Sequence, residues 1–215
     1  MNADELQLPV TFNIGAVFFF ALTGALAARR LGYDIVGVFV LAFATGLGGG
    51  LIRDNLLRGS GPVLALTDPQ LMLAVLLATF FGLFRWSVQI GNFNRLVAVF
   101  DAIGLGAFAV VGTNKALKAD LHWLAAVFVG VVNAVGGSLL RDLLTRTEPL
   151  MLKPGQFYAL AALFGACIYA VLTLELRLPV LQAAVFATIA TVVLRVLAIV
   201  FNWKTRAVEG QLETP

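Results

Sequence analysis

The chain has 215 residues, of which 60% are hydrophobic and 13% are charged, with a mean hydropathy of +0.93 and a formal net charge of +3. Soluble domains carry about 25% charged residues, so this composition excludes an ordinary soluble domain and is typical of an integral membrane protein. The small net charge does not indicate a nucleic-acid partner, and a single cysteine excludes an intrachain disulfide.

Seven apolar segments are long enough, or nearly so, to cross a bilayer as helices, which takes about 20 residues each. The fourth segment contains Asp101, and the last contains Arg195, a charge whose cost within a membrane nothing else in the sequence explains. We therefore expect an all-α integral membrane protein with one membrane domain over residues 1–203 and a polar tail over residues 204–215. The predicted spans are residues 10–28, 35–57, 69–84, 96–117, 121–145, 154–174 and 179–203.

Basic residues outside the predicted spans, or at their ends, are divided unequally between the two sides of the membrane. With an odd number of spans, the N-terminus lies on one side and the C-terminus on the other. The C-terminal side carries eight basic residues and the N-terminal side carries four. The positive-inside rule then predicts a protein of the cell (inner) membrane, with the N-terminus outside and the C-terminus cytoplasmic. The eight are Arg29, Arg30, Arg85, Arg95, Arg146, Lys153, Lys204 and Arg206, and the four are Arg58, Lys115, Lys118 and Arg177.

The sequence repeats itself at a shift of 88 residues. Residues 20–58 align with residues 108–146 without a gap and give 11 identities, among them a Gly-Gly pair followed by Arg-Asp-x-Leu-x-Arg. Each copy contains three predicted spans, and because three is odd, the second copy enters the membrane from the opposite side. We therefore expect two inverted repeats, at about residues 10–90 and 96–175, plus a seventh helix over residues 179–203. Inverted repeats of this kind are characteristic of transporters and permeation proteins.

Two clusters of small residues occupy matching positions in the two repeats. The first is Gly48, Gly49 and Gly50, and the second is Gly136, Gly137 and Ser138. Thr45 and Asn133 align with each other, and each precedes its cluster. The clusters could kink or unwind their helices and expose backbone carbonyls to a water-filled path that favours cations. Alternatively, they could let helices pack closely together, but their symmetric recurrence beside charges favours the first interpretation.

Charged residues follow both clusters. Arg53 and Asp54 are adjacent and face about 100° apart on a helix, so we expect each aspartate to pair with the arginine four residues later instead, Asp54 with Arg58 and Asp142 with Arg146. Arg53 and Arg141 are then left to snorkel to lipid headgroups or to line and gate a path, with Asp101 or a lipid phosphate as a partner. Asp101 itself is either a path-lining carboxylate or a structural counter-ion, and Lys115 is expected at the membrane interface. The candidate gating residues and charge partners are therefore Arg53, Asp54, Asp101, Lys115, Arg141 and Asp142.

The sequence contains no pattern that indicates an enzyme. A Ser-His-Asp triad is not credible with one histidine, and neither a metal-ligand cluster nor a phosphate-binding loop is present in a suitable context. We expect no cofactor and no bound metal, beyond permeant monovalent cations such as K⁺ or Na⁺.

The segments "GALAARRLGYD", "GLGGGLIRD", "FDAIGLGAFAVVGTNKAL" and "AVGGSLLRD", in this order, resemble the prokaryotic branch of the trimeric intracellular cation channel family, whose domains are also called putative glycine transporters. The resemblance covers about residues 10–203. It implies a homotrimer in membrane lipid, with one potassium-preferring pore per protomer and with the second and fifth helices kinked at Gly48, Gly49, Gly50, Gly136 and Gly137. Ser138 replaces the usual third glycine and adds a hydroxyl to the pore. The alternative function is a secondary transporter of a small zwitterion such as glycine.

Overall fold

The computed structural model describes residues 6–57, 67–84, 90–153 and 157–203, without the side chains of residues 90–94. The polar tail predicted over residues 204–215 lies outside this range. The described residues form seven helices and no strand, which confirms the predicted all-α architecture. The helices are α1 (Val10–Arg30), α2 (Ile35–Leu56), α3 (Pro69–Leu83), α4 (Ile90–Lys118), α5 (Trp123–Leu144), α6 (Tyr158–Leu174) and α7 (Val180–Val200).

The starts of the helices follow from local chemistry. The carboxylate of Asp34 accepts a hydrogen bond of 2.8 Å from the Gly37 amide at the start of α2, which satisfies a backbone donor that the helix cannot. Asp68 caps α3 in the same way, with Pro69 at the first helical position, where a missing N–H costs nothing. The fourth helix begins at Ile90, earlier than predicted, and the sixth begins only at Tyr158.

The packing of the helices follows the sequence repeat. Within the first repeat α1 packs against α2 and α3, and within the second α4 packs against α5 and α6. Across the repeats α2 packs against α5 and α1 against α4, so these four helices surround the pseudo-two-fold axis. The added helix α7 packs against α4 and α6 of the second repeat.

Five of the helices, α1, α2, α4, α5 and α7, are long and apolar enough to span a bilayer, while α3 and α6 are shorter apolar helices. Large apolar side chains such as Phe80, Phe128 and Phe186 are exposed on the outer surface of the bundle. Exposure of so large an apolar surface to water is unfavourable, whereas lipid tails solvate it. The protein is therefore a multi-pass membrane protein.

Candidate functional site

The glycine clusters lie where α2 crosses α5. A Cβ atom at Gly49 would collide with the backbone carbonyl oxygen of Asn133, and a Cβ atom at Gly137 would collide with that of Thr45. These two contacts are equivalent under the shift of 88 residues, because Gly49 aligns with Gly137 and Thr45 with Asn133. The two backbones thus touch at two positions around the pseudo-two-fold axis, and only glycine permits so close an approach.

The expected unwound turn is absent from both helices. Residues 35–56 and 123–144 are helical without interruption through their clusters, and the Ser138 hydroxyl donates to the carbonyl of Val135 at 2.9 Å. The carbonyls of Thr45 and Asn133 face glycines of the opposite helix, so these residues pack the crossing in this conformation.

The other glycines of the clusters have different surroundings. Gly48 faces the side chain of Leu140, and Gly136 approaches Gly49. Gly50 has more space, because the nearest atom to a Cβ placed there is Nη2 of Arg53, 3.7 Å away.

The polar side chains before the clusters are buried in the helix interfaces. Thr45 donates to the carbonyl of Leu41 within its own helix at 2.6 Å. Asn133 donates instead to the carbonyl of Phe108 in α4, also at 2.6 Å. Both residues are completely inaccessible to solvent, so they connect or pack helices next to the crossing rather than opening into a cavity in this conformation.

A first cavity of about 270 Å³ opens where α1 begins and where α2 and α4 end. Its polar centre is an ion-pair cluster in which one oxygen of Asp54 lies 2.8 Å from Nη2 of Arg53 and accepts from Nζ of Lys115 at 2.7 Å. We name it the Lys115 vestibule. Its lining includes Pro9, Val10, Asn13, Arg53, Val111, Lys115 and Lys118.

A second cavity of about 360 Å³ opens where α4 begins and where α1, α5 and α7 end. Here Arg141 lies 2.9 Å from Asp142 and 3.1 Å from Asp101, and it also donates to the hydroxyl of Thr23 at 3.2 Å. We name this cavity the Asp101 vestibule. Its lining includes Thr23, Ala27, Arg30, Val97, Ala98, Asp101, Arg141 and Arg195.

The two vestibules are equivalent under the repeat. Seven lining positions of the first, namely 9, 10, 13, 53, 111, 115 and 118, fall on positions 97, 98, 101, 141, 23, 27 and 30 of the second. Because the repeats are inverted, equivalent positions lie towards opposite faces of the membrane. The protein therefore has one polar cavity facing each side.

Aromatic side chains separate the vestibules. Phe20 lies one turn deeper on α1 than Thr23, and its equivalent Phe108 lies one turn deeper on α4 than Val111. Their ring centroids are 5.0 Å apart, and both residues are essentially inaccessible to solvent. Together with the glycine crossing of α2 and α5, this pair is part of the packed interior of the bundle.

The expected pairing of the charged residues is wrong in one respect and confirmed in another. Arg53 and Arg141 are not free, because each binds the aspartate that follows it in sequence. A long arginine side chain can bend back to its neighbour, and in a buried setting an unpaired charge is costly.

The other predicted pairs have different outcomes. The pair of Asp54 with Arg58 is not described, because Arg58 lies outside the described residues. Asp142 binds Arg141 and the Leu150 amide rather than the predicted Arg146. The hypothesis that Asp101 partners an arginine is confirmed by its contact with Arg141.

Sequence reasoning missed the contributions of Asn13, Thr23 and the Phe20–Phe108 pair. Extending the alignment from residue 20 back to residue 13 places Asn13 on Asp101 and so would have found one of them. Lys115 lies in the last turn of α4, with 19% of its side chain exposed and its ammonium on Asp54.

The chain is similar to known membrane proteins over most of its length. A family model described as "Glycine transporter" matches residues 10–87 and again residues 98–174, which reproduces the two repeats. The UPF0126 inner membrane protein YadS of Escherichia coli (strain K12) is 34% identical over 189 residues, which is 86% of this chain and 88% of that protein. The UPF0126 membrane protein YvgT of Bacillus subtilis (strain 168) is 39% identical over 197 residues, or 89% and 92% of the two chains.

Solved structures share the fold. A trimeric intracellular cation channel orthologue from Rhodobacter sphaeroides superimposes with a TM-score of 0.80 at 33% identity, over 89% of this chain and 97% of that chain. A prokaryotic channel of the same family, crystallised in 0.5 M KCl, gives a TM-score of 0.80 at 30% identity, over 89% and 95% of the two chains. The architecture of this chain is therefore a fold found in solved channels.

Proposed function

We propose that this chain, which belongs to the trimeric intracellular cation channel family, conducts monovalent cations along a separate path in each protomer. The observation that carries the proposal is the pair of equivalent polar vestibules at opposite ends of the α2–α5 crossing. A path between them would run along the pseudo-two-fold axis, past Phe20 and Phe108. The solved relatives support this function, since they are described as cation channels.

The described conformation corresponds to a closed path. Conduction requires the Phe20–Phe108 pair to separate and the crossing to loosen, which would wet the carbonyls of Thr45 and Asn133. A bend of α2 at Gly48–Gly50 and of α5 at Gly136–Gly137 would do this with little steric cost, because glycine tolerates backbone conformations that other residues avoid. The proposed kink of α2 and α5 is therefore a property of the conducting state.

Potassium is the preferred ion in this proposal. Asp54, Asp101 and Asp142 provide carboxylate oxygens in the vestibules, while Arg53, Arg141 and Lys115 together offset their charge. Such a site stabilises a dehydrated ion weakly, and potassium is less costly to dehydrate than sodium. Weak coordination by hydroxyls, carbonyls and paired carboxylates therefore favours potassium.

Transport of a small zwitterion such as glycine is the second candidate, favoured by the description of the matching family model. Two vestibules separated by a closed centre also suit alternating access. Purified protein in a planar bilayer with asymmetric KCl distinguishes the two functions. A channel gives unitary currents that reverse near the potassium equilibrium potential, whereas saturable glycine uptake into proteoliposomes without unitary current would favour the transporter.

The proposed assembly is a homotrimer in membrane lipid. The support is the trimeric description of the solved relative. Crosslinking in mild detergent should end at a trimer, with a matching protein mass by light scattering. A ladder that ends at dimers contradicts this assembly.

The proposed location is the inner membrane, with the N-terminus outside and the C-terminus cytoplasmic, as the distribution of basic residues predicts. The naming of YadS as an inner membrane protein supports the location. A reporter that is active only in the cytoplasm should give signal when it is fused after Pro215. Signal from a periplasmic reporter at the same site instead would reverse the orientation.

A further inference from the structure

Arg195 is a buried charge that the repeats do not require. It lies on α7, the helix outside both repeats, and the residue is only 5% exposed. A charge inside a membrane helix is costly, and such residues face the interior of a bundle or a water-filled cavity. Arg195 lines the Asp101 vestibule together with Asp101, Arg141 and Thr23.

The packing of α7 fixes the position of Arg195. One turn before it, the side chain of Thr191 lies between α4 and α6, where it fills the space that a Cβ atom would need at Gly106 and Gly165. The hydroxyl of Thr191 donates to the Ala187 carbonyl at 2.8 Å, so it is satisfied within the helix. Because residues four apart share a helix face, this contact places Arg195 on the face that looks into the bundle.

An aromatic ring holds the head group of Arg195. The guanidinium carbon lies 4.8 Å from the ring centroid of Tyr158, a residue that is 2% exposed. This distance is typical of a cation–π interaction, which retains the positive charge. Among the described residues the first repeat has no helix equivalent to α7, and the described lining of the Lys115 vestibule contains no counterpart of Arg195.

The charge of Arg195 changes the balance of the Asp101 vestibule. Its ion-pair cluster contains two carboxylates, Asp101 and Asp142, against one guanidinium, Arg141, and so carries a net charge of −1. Arg195 brings the buried total to zero. Arg30 also lines the cavity, but it is exposed at the mouth, where solvent and salt screen its charge.

We infer that Arg195 is a conductance-setting residue, by which α7 raises the electrostatic barrier to cations in the Asp101 vestibule. This inference rests on the proposed channel function. A fixed positive charge in a pore lowers the local concentration of cations. Removal of that charge leaves a vestibule with net negative charge, so cations accumulate there and the unitary conductance rises, more for current that enters from this side.

Single-channel recording in symmetric 0.1 M and 1 M KCl tests the inference. At 0.1 M, Arg195→Gln and Arg195→Met are expected to raise the unitary conductance roughly two- to fivefold and to make the current–voltage relation asymmetric. At 1 M the increase should largely disappear, because the screening length falls from about 10 Å to about 3 Å. Arg195→Lys retains the charge and should lie closer to the wild type than either neutral variant. Arg177→Gln, an exposed residue before α7 with the same charge change, is the matched control.

Several outcomes would overturn the inference. Neutral variants with wild-type conductance at 0.1 M, or with an increase that persists at 1 M, exclude an electrostatic role. An equal increase in Arg195→Lys assigns the effect to shape rather than to charge. If both neutral variants fail to fold while Arg195→Lys folds, the charge serves stability instead. Absence of any potassium current in the wild type would contradict the proposed function itself and is thus distinguishable from all of these.

Discussion

The Lys115 vestibule and the Asp101 vestibule show what an inverted repeat preserves and what it changes. Both contain an arginine that binds the next residue, an aspartate, at nearly the same distance, 2.8 Å for Arg53 and 2.9 Å for Arg141. The further partners differ. In one vestibule a lysine joins the pair, and in the other a second aspartate does.

Two pairs of equivalent positions produce this difference. Asn13 stands where the second repeat has Asp101, and Lys115 stands where the first repeat has Ala27. As a result, two cations share one carboxylate in the first cluster, while two carboxylates share one cation in the second. The repeated scaffold thus sets where charges lie, and a few positions that differ between the repeats set their sign.

The crossing of α2 and α5 brings two helix backbones into direct contact at two equivalent positions, so its disruption should have the largest effect. Gly49→Ala and Gly137→Ala each place a methyl group against a backbone carbonyl of the other helix. Such overpacking costs about 1–3 kcal/mol, because backbone cannot move aside as a side chain can. Thermal unfolding in detergent should show similar losses for the two variants, since their contacts are equivalent.

Gly50→Ala is the matched control within the same cluster. The nearest atom to its added methyl group is Nη2 of Arg53, 3.7 Å away, so we expect no loss of stability and a gain of up to about 1 kcal/mol from helix propensity. If conduction requires a bend here, this stable variant should still show a lower unitary conductance or open probability. Equal destabilisation by Gly50→Ala and Gly49→Ala would contradict the described crossing, and normal current in Gly50→Ala would contradict a kink at this residue.

The sequence alone predicts the seven helices and the inverted repeats, because hydropathy and the Arg-Asp motifs repeat along the chain, and the family follows from the resemblance of its motifs. It also gives Asp101 as one of two candidate partners for a buried arginine, and the structure shows the contact with Arg141. It does not predict that Arg53 and Asp54 bind each other, because helix geometry places neighbouring side chains 100° apart and ignores the reach of arginine. Nor does it predict the role of Gly49 and Gly137 in this conformation, because close packing and kinking favour the same residue. Only the position of the opposite helix distinguishes these roles.

Loss of the second carboxylate should have the next largest effect on stability. Asp101→Asn removes the charge that Arg141 contacts at 3.1 Å in a site where Asp101 is 4% exposed. Arg141 keeps Asp142, so we expect a loss of about 1–3 kcal/mol, the usual cost of weakening a buried charged hydrogen bond. The equivalent change in the other repeat, Asn13→Asp, adds a carboxylate to a half-buried position near Arg53 and Lys115, and should alter stability by less than about 1 kcal/mol.

A double-mutant cycle separates the ion pair from other effects of these substitutions. In an Arg141→Gln background, Asp101→Asn should cost less than in the wild type, because its partner charge is already absent. Equal costs in both backgrounds would show that Asp101 acts through other contacts. A loss for Asn13→Asp as large as that for Asp101→Asn would contradict the inequality of the two vestibules.

The smallest expected effect on stability comes from Lys115→Ala, which gives the first vestibule the alanine that the second has at position 27. Lys115 is partly exposed, and Asp54 keeps its bond to Arg53, so the loss should be below about 1 kcal/mol. The variant should nevertheless raise the cation conductance at low salt, because it removes one of two cations beside a single carboxylate. Lys118→Ala is the control, since Lys118 lines the same vestibule but has no ion pair with the described residues. A greater rise in conductance with Lys118→Ala than with Lys115→Ala would show that charge at the mouth, rather than in the ion-pair cluster, distinguishes the two vestibules.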